Sequence, residues 1–430
     1  MSILIQQAKI LTMQDNESPF MGDIRIEGEQ IVQIASHIDP QPGDDVLDGR
    51  GKLAMPGLVN AHQHSAMSLL RGFSDDLKLM DWLDRKMLPA EARMTPEDIY
   101  WGAKLGIAEM IRSGTTAFAD MYIHMNEIAE AVKETGIRAS LTRGMVFMEE
   151  DGGRRLQEAV DLVQRWSGQA NGRITTMYGP HSPYTCPMEP LRDVIAMAVR
   201  DDIPLHIHLA ETIEEVQKIH SRYGLTPTEY LVEAGMFDHA HVLLAHAVHL
   251  NANDVSRLKG MRGGVAHNPV SNLKLGCGIA PIEAMRAESI TVGLGTDGAG
   301  SATTLDMFEE IKAACWLQKL DYGDPTRLPA REVLSMATRG SAKLLSLHDE
   351  VGVLAPGYKA DLILIDLAKP HLQPIHNVES LLAYSVNGAD VHTTIVDGQI
   401  LMRDRKLLTL DEDELYREVN VRAKRIVEGI

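Results

Sequence analysis

Between residues 53 and 320 the sequence alternates eight times between a short β-rich segment and a stretch of helical period. The β-rich segments are 53–61, 115–121, 138–143, 173–178, 204–209, 241–245, 263–266 and 290–294, and helical patterns such as 96–112, 156–167, 187–200 and 305–320 fill the gaps. Parallel strands need a crossover between them, and a helix is the usual crossover. Eight such units in succession specify an α/β fold, a TIM (β/α)8 barrel, rather than an open sheet. A barrel takes about 250 residues, and this chain has 430. The remainder lies at the two ends. Segments 3–11, 23–34 and 46–53 are rich in Ile and Val and separated by Gly, Asp and Pro. The pattern returns at 360–365 and 391–396, where Asp397-Gly398 forms a hairpin signal before 400–402. Short sheets need partners to bury a face. We therefore expect both ends to form one small composite β-sandwich domain, with parts at 1–56 and 348–430 around a barrel at 57–347 and a last helix at 412–428.

A formal net charge of −18 argues against nucleic acid as a partner, because phosphate binding needs a basic footprint. No apolar run approaches the ~18 residues of a membrane span. Residues 1–20 lack the basic stretch and unbroken apolar run of a secretory signal. Cys186, Cys277 and Cys315 are distant from one another and form no CxxC pattern. They read as reduced thiols of a cytoplasmic protein that takes a small-molecule substrate.

A barrel carries its active site at the C-terminal ends of its strands. Segment 1 ends in His62-Gln63-His64, whose imidazoles share one face of a strand. Alone, such a pair is as readily a hydrogen-bonded couple as a metal site. Segment 5 reads His206-Ile207-His208-Leu209-Ala210-Glu211. Here His208 is the ligand candidate, Glu211 a proton carrier beside it, and His206 a hydrogen-bonded interior residue. Segment 6 ends in His246, to which we assign function, leaving His249 to the loop. Segment 8 ends in Gly293-Leu294-Gly295-Thr296-Asp297-Gly298. This G-x-G-x-x-G closes a series of βα units instead of opening one, so it is no dinucleotide loop. Asp297 reads as a metal-facing carboxylate on closely approaching backbone. Three imidazoles and a carboxylate suit zinc with an open position for water. Segment 4 supplies no lysine to bridge a second metal, so one zinc per subunit is expected.

HQH at 62–64, GPHSPYTC at 179–186, HIHLAET at 206–212, AHAVHL at 245–250, AHNPVSNLKLGCGIAP at 266–281 and GLGTDGAGS at 293–301 resemble the amidohydrolase superfamily, and most closely its 5′-methylthioadenosine/S-adenosylhomocysteine deaminases. Segment 69–95 resembles that family too, and the likeness spans about residues 50–320 in order and spacing. The resemblance implies that His62, His64, His208 and Asp297 hold zinc and that Asp297 takes a proton from the attacking water. Glu211 would pass a proton to the ring nitrogen, and His246 would orient the nucleophile and stabilise developing charge. Attack at C6 of adenine would expel ammonia and leave an inosine-type product. Glu91 matches the position that grips the ribose and His181 one that touches the nucleoside, while Trp82 reads as packing on the substrate or as a core tryptophan. Arg143 and Arg155 match the positions that meet the homocysteine carboxylate, with Arg154 competing for the second. The resemblance also implies a homo-oligomer. The rival reading is a relative that acts on another aminated ring, such as an s-triazine or guanine. A non-catalytic barrel is the remote one, since such a protein would be expected to lose ligands or Glu211.

Overall fold

The computed structural model describes residues 2–15, 17–148 and 151–430. Five strands come first: β1 (Ser2–Ile10), β2 (Phe20–Glu27), β3 (Gln30–Ala35), β4 (Asp44–Asp48) and β5 (Lys52–Pro56). The barrel strands follow as β6 (Leu58–Gln63), β7 (Thr115–Tyr122), β8 (Arg138–Met145), β9 (Ile174–Pro180), β10 (Leu205–Leu209), β11 (His241–His246), β12 (Arg262–His267) and β13 (Val292–Leu294). The chain ends with β14 (Leu362–Asp366), β15 (Val391–Val396), β16 (Gln399–Arg403), β17 (Lys406–Leu407) and the helix Glu412–Val427.

Strands β6 to β13 pair in sequence order, all parallel, with helices between them. The seam between β13 and β6 is laced at its top. Asp297 N donates to His62 O at 2.9 Å, and Thr296 N and Oγ1 pair with the Asn60 amide at 3.0 and 2.8 Å. Val59, Ala61, Ala117, Ala119, Met177, Leu243 and Ala266 fill the interior below the site.

The other nine strands form one sheet from both chain ends. Its centre is the antiparallel pair β5–β14, where Met55 faces Ile363, and one face buries Ile3, Ile5, Ile24, Ile26, Leu362, Leu364 and Ile395. The single segment expected at 53–61 is in fact two strands. β5 belongs to the end sheet and β6 to the barrel, with Gly57 as the crossing point. A Cβ there would lie 2.1 Å from the Thr116 side chain, so the close passage needs glycine.

One buried ion pair ties the barrel to this sheet. Arg138, at the start of β8, reaches Asp361 just before β14 at 2.9 and 3.1 Å, and Asp397 in the β15–β16 turn at 3.3 Å. Arg138 and Asp361 are each about 1% exposed at the side chain. Removing one partner of such a pair strands the other charge in a low-dielectric interior. Arg138→Ala should therefore cost about 3–5 kcal/mol, read as a lower urea midpoint. An unchanged midpoint would mean that Asp361 is solvated or otherwise neutralised.

Candidate active site

The residues singled out in the sequence meet where the barrel strands end. Val59 and Ala61 face the interior, so strict alternation would turn His62 outward. The pairing Asn60↔Phe118 followed by Gln63↔Asp120 sets three steps on β6 against two on β7. That extra residue is a β-bulge, which resets the alternation and returns His62 to the interior. His62 and His64 then meet edge-on, ring centroids 4.9 Å apart. His208, near the end of β10, lies 4.8 Å from His62 and 5.6 Å from His64 by ring centroids. His246 leaves the extended region at the end of β11, φ 72°, and stacks 5.5 Å from His208. Asp297 is also left-handed, φ 62°, and its Oδ1 is 3.2 Å from His64 Nε2 and 3.6 Å from His62 Nε2. Two non-glycine residues held at positive φ in one site is backbone strain of the kind that gathers at functional centres.

Each candidate ligand ring is fixed from behind. His62 Nδ1 contacts His206 Nε2 at 2.8 Å, His64 Nδ1 faces Met121 O, and His208 Nδ1 faces His181 O at 2.9 Å. Such partners orient a ring so that its other nitrogen points to the centre. His206 is thus the interior, hydrogen-bonded residue expected, and burial pushes its pKa down to about 3. The Asp297 carboxylate accepts from Ser271 Oγ at 2.6 Å, Ser301 Oγ at 3.0 Å and Gly298 N at 2.8 Å. Burial alone would raise its pKa, but the hydrogen bond and charge of His64 outweigh that and hold it below the usual carboxylate range.

The cluster fits a metal. Three overlapping groups bring ligand atoms within 4.8 Å of one another: His62, His208 and His246; His62, His64 and Asp297; Glu211, His246 and Asp297. The buried His62 Nε2 has no hydrogen-bond partner among the described residues. An orphaned buried nitrogen costs about 1–3 kcal/mol, which a metal bond in that direction removes. Imidazole and carboxylate donors are those of zinc sites.

Glu211 follows β10, and its Oε2 is 3.9 Å from His246 Nε2. Burial holds its carboxyl above the ordinary range. Glu91 accepts from Tyr122 Oη at 2.6 Å, and the Tyr122 ring lies 6.1 Å from His64. The His181 ring is 4.7 Å from that of His208, and its Nδ1 contacts Ser182 and Thr185. Trp82 is buried beside Gly300, beyond Asp297, and its Nε1 has no partner among the described residues.

Two predicted residues are not gathered into the cluster. Arg143 Nε donates to Glu158 Oε2 at 2.7 Å, and by strand alternation Arg143 points away from the interior, where Thr142 reaches His206. Arg155 donates to Val146 O at 3.0 Å and lies 3.5 Å from Asp151. Arg154 is exposed and pairs with Glu158. Sequence reasoning missed Tyr122, Ser271, Asn272 and Ser301. The run Asn268-Pro269-Val270-Ser271-Asn272 directly after a barrel strand was the available signal, since Pro at a first helical position places the next polar residues on the first turn.

A parallel eight-stranded barrel whose strand ends converge three imidazoles and a carboxylate, with a buried glutamate and a fourth histidine beside them, defines the class of metal-dependent barrel hydrolases. Residues 53–401 match the model of the Amidohydrolase family. A 5-methylthioadenosine/S-adenosylhomocysteine deaminase of Pelotomaculum thermopropionicum is 47% identical over 99% of both chains. A 5′-deoxyadenosine deaminase of Methanosarcina acetivorans is 45% identical over 99% of this chain and 98% of its own. Among solved structures, a zinc-bound adenosine deaminase of Xanthomonas campestris superposes with a TM-score of 0.94 at 30% identity, covering 99% of this chain and 98% of its own. The chain belongs to the amidohydrolase family and is a hydrolytic enzyme. No helix among the described residues is long and apolar enough to cross a membrane.

Proposed function

We propose that the protein is a zinc-dependent deaminase of adenine nucleosides, replacing the C6 amino group of 5′-methylthioadenosine, S-adenosylhomocysteine or adenosine by oxygen from water and releasing ammonia. The carrying observation is that Glu211, His246 and Asp297 converge with His62, His64 and His208 on one centre. Full-length identity of 45–47% to nucleoside deaminases supports an adenine nucleoside over another aminated ring.

His62, His64, His208 and Asp297 would hold the zinc. When bound, a zinc ion supplies Lewis-acid activation of water near neutral pH. Asp297, its carboxylate held by Ser271, Ser301 and the Gly298 amide, accepts the proton that the attacking water loses. Glu211, its carboxyl raised by burial, keeps a proton to donate to the ring nitrogen beside C6. His246 Nε2 faces the same space and orients the oxygen. Glu91, held by Tyr122 Oη, would grip the ribose hydroxyls, and Trp82 and His181 would flank the base. Uptake of one water and loss of one ammonia balance the exchange at C6.

Ammonia release by the zinc-loaded protein, measured across adenosine, 5′-methylthioadenosine, S-adenosylhomocysteine, guanine and an aminotriazine, tests the reading. Turnover should be confined to the adenosines. The S-adenosylhomocysteine rate reports on Arg143, whose pairing with Glu158 must open for a carboxylate to bind there. Silence on every adenosine with turnover of another ring would overturn the substrate and leave the metal chemistry standing.

A further inference from the structure

A short helix, Pro269–Lys274, follows β12 and touches two groups of the site, Asp297 and His246, from one turn. Its residues Ser271 and Asn272 are buried. Ser271 Oγ donates to Asp297 Oδ2 at 2.6 Å, and Asn272 Oδ1 lies 2.9 Å from His246 Nδ1. The helix is itself anchored from beneath. Glu310, fully buried on the helix Met307–Tyr322, accepts from Val270 N at 3.1 Å. Pro269 fixes the first helical position and has no N–H to satisfy.

The geometry at His246 has a chemical consequence. A carbonyl oxygen only accepts, so with Asn272 Oδ1 turned to the ring at 2.9 Å, and Asn272 Nδ2 buried without a partner among the described residues, the proton of the ring lies on Nδ1. A neutral imidazole has one N–H, so Nε2 then carries a lone pair. That nitrogen is the one directed at the centre, 3.9 Å from Glu211 Oε2. Asn268 Nδ2 also approaches Nδ1, at 3.3 Å, but the longer distance makes it the weaker claimant.

We propose that Asn272 is the positioning residue of His246, holding its ring in the Nδ1–H tautomer so that an unprotonated Nε2 accepts from the nucleophile's O–H. Ser271, one residue earlier, fixes the Asp297 carboxylate, so this single turn sets both groups that handle the water. The proposal rests on His246 acting at this centre and does not depend on which aminated ring is the substrate.

The test has two parts, run on the zinc-loaded enzyme. In the first, ¹⁵N chemical shifts of the wild-type histidines, with His246→Gln to assign the signal, report the tautomer directly. An Nδ1–H, Nε2-unprotonated ring is expected, and the reverse tautomer overturns the proposal whatever the substrate proves to be. In the second, Asn272→Leu and Asn272→Asp are compared on whichever substrate the wild type turns over. Loss of a hydrogen-bond partner behind a metal-centre histidine costs about 10–100-fold in activity. Asn272→Leu should lose that much in kcat with KM and zinc content little changed, and Asn272→Asp, which keeps the acceptor oxygen, should recover most of it. Equal loss in both variants, or near-wild-type kcat in Asn272→Leu, would reduce Asn272 to a packing residue. If Asn272→Leu does not fold, the tautomer measurement still decides.

Discussion

Replacing Glu211 by glutamine should lower kcat by about 10²–10⁴-fold, the usual range for a positioned acid–base group, while zinc content stays at the wild-type level. The glutamine has the same shape and can still accept a hydrogen bond, but it cannot give up a proton. The local frame should survive the change. Backbone donors hold the turn after β10, with Ala210 N and Glu211 N bound by the two Glu215 oxygens at 3.0 and 2.9 Å. None of those contacts uses the Glu211 side chain. Burial pushes Glu215 up to about 8 and raises Glu211 as well, so Glu211 retains its proton to a higher pH than a solvated glutamate. The deficit should therefore sit in kcat rather than KM. Elemental analysis for zinc beside steady-state kinetics checks both halves. Wild-type turnover in Glu211→Gln would remove Glu211 as the proton carrier.

Much of this site was legible because each residue sits where a strand runs out. His208 and Asp297 end periodic segments, and their chemistry shows in residue type alone. The barrel followed from eight alternations, although one apparent segment at 53–61 proved to be β5 and β6, since Pro56-Gly57 within a short apolar run does not by itself reveal that the chain passes there from one sheet to another. His62 and His64 illustrate a subtler limit. Two-residue spacing put both on one face, but that face became the interior only through the bulge before Gln63, a feature of pairing that one strand's sequence does not encode. Arg143 shows the opposite case: its type and position suggested an anion partner, and the fold supplied Glu158 from the neighbouring helix. Ser271 and Asn272 were hidden because their function depends on long-range neighbours, Asp297 and His246, each 26 residues away in the chain.

Asp297→Ala should abolish the stabilisation that zinc gives the folded protein, and turnover with it. A ligand that binds only the native state stabilises by RT ln(1 + [L]/Kd), about 2.7 kcal/mol at a hundredfold excess over Kd. In the wild type, zinc added to metal-stripped protein should raise the melting temperature accordingly. Asp297 is the one anionic member of the proposed four-ligand set, so its loss removes a bond and the only formal negative charge that set presents to a divalent cation. The seam bond from residue 297 to His62 O uses the backbone amide and survives the change, but Ser271 Oγ, Ser301 Oγ and Gly298 N each lose the acceptor that the carboxylate provides. The left-handed φ of 62° at this position is already borne by a non-glycine residue. The metal-stripped variant should thus melt below the metal-stripped wild type, and the zinc effect is read for each protein against its own metal-free melting temperature, with a rise expected in the wild type and none in Asp297→Ala. Asp297→Asn divides the two roles: its amide oxygen keeps a weak donor for the metal but cannot take a proton from water. It should regain part of the zinc-dependent shift and none of the turnover. A zinc response in Asp297→Ala equal to that of the wild type would place the metal elsewhere in the cluster, on His62, His208 and His246, the group that closes without the carboxylate.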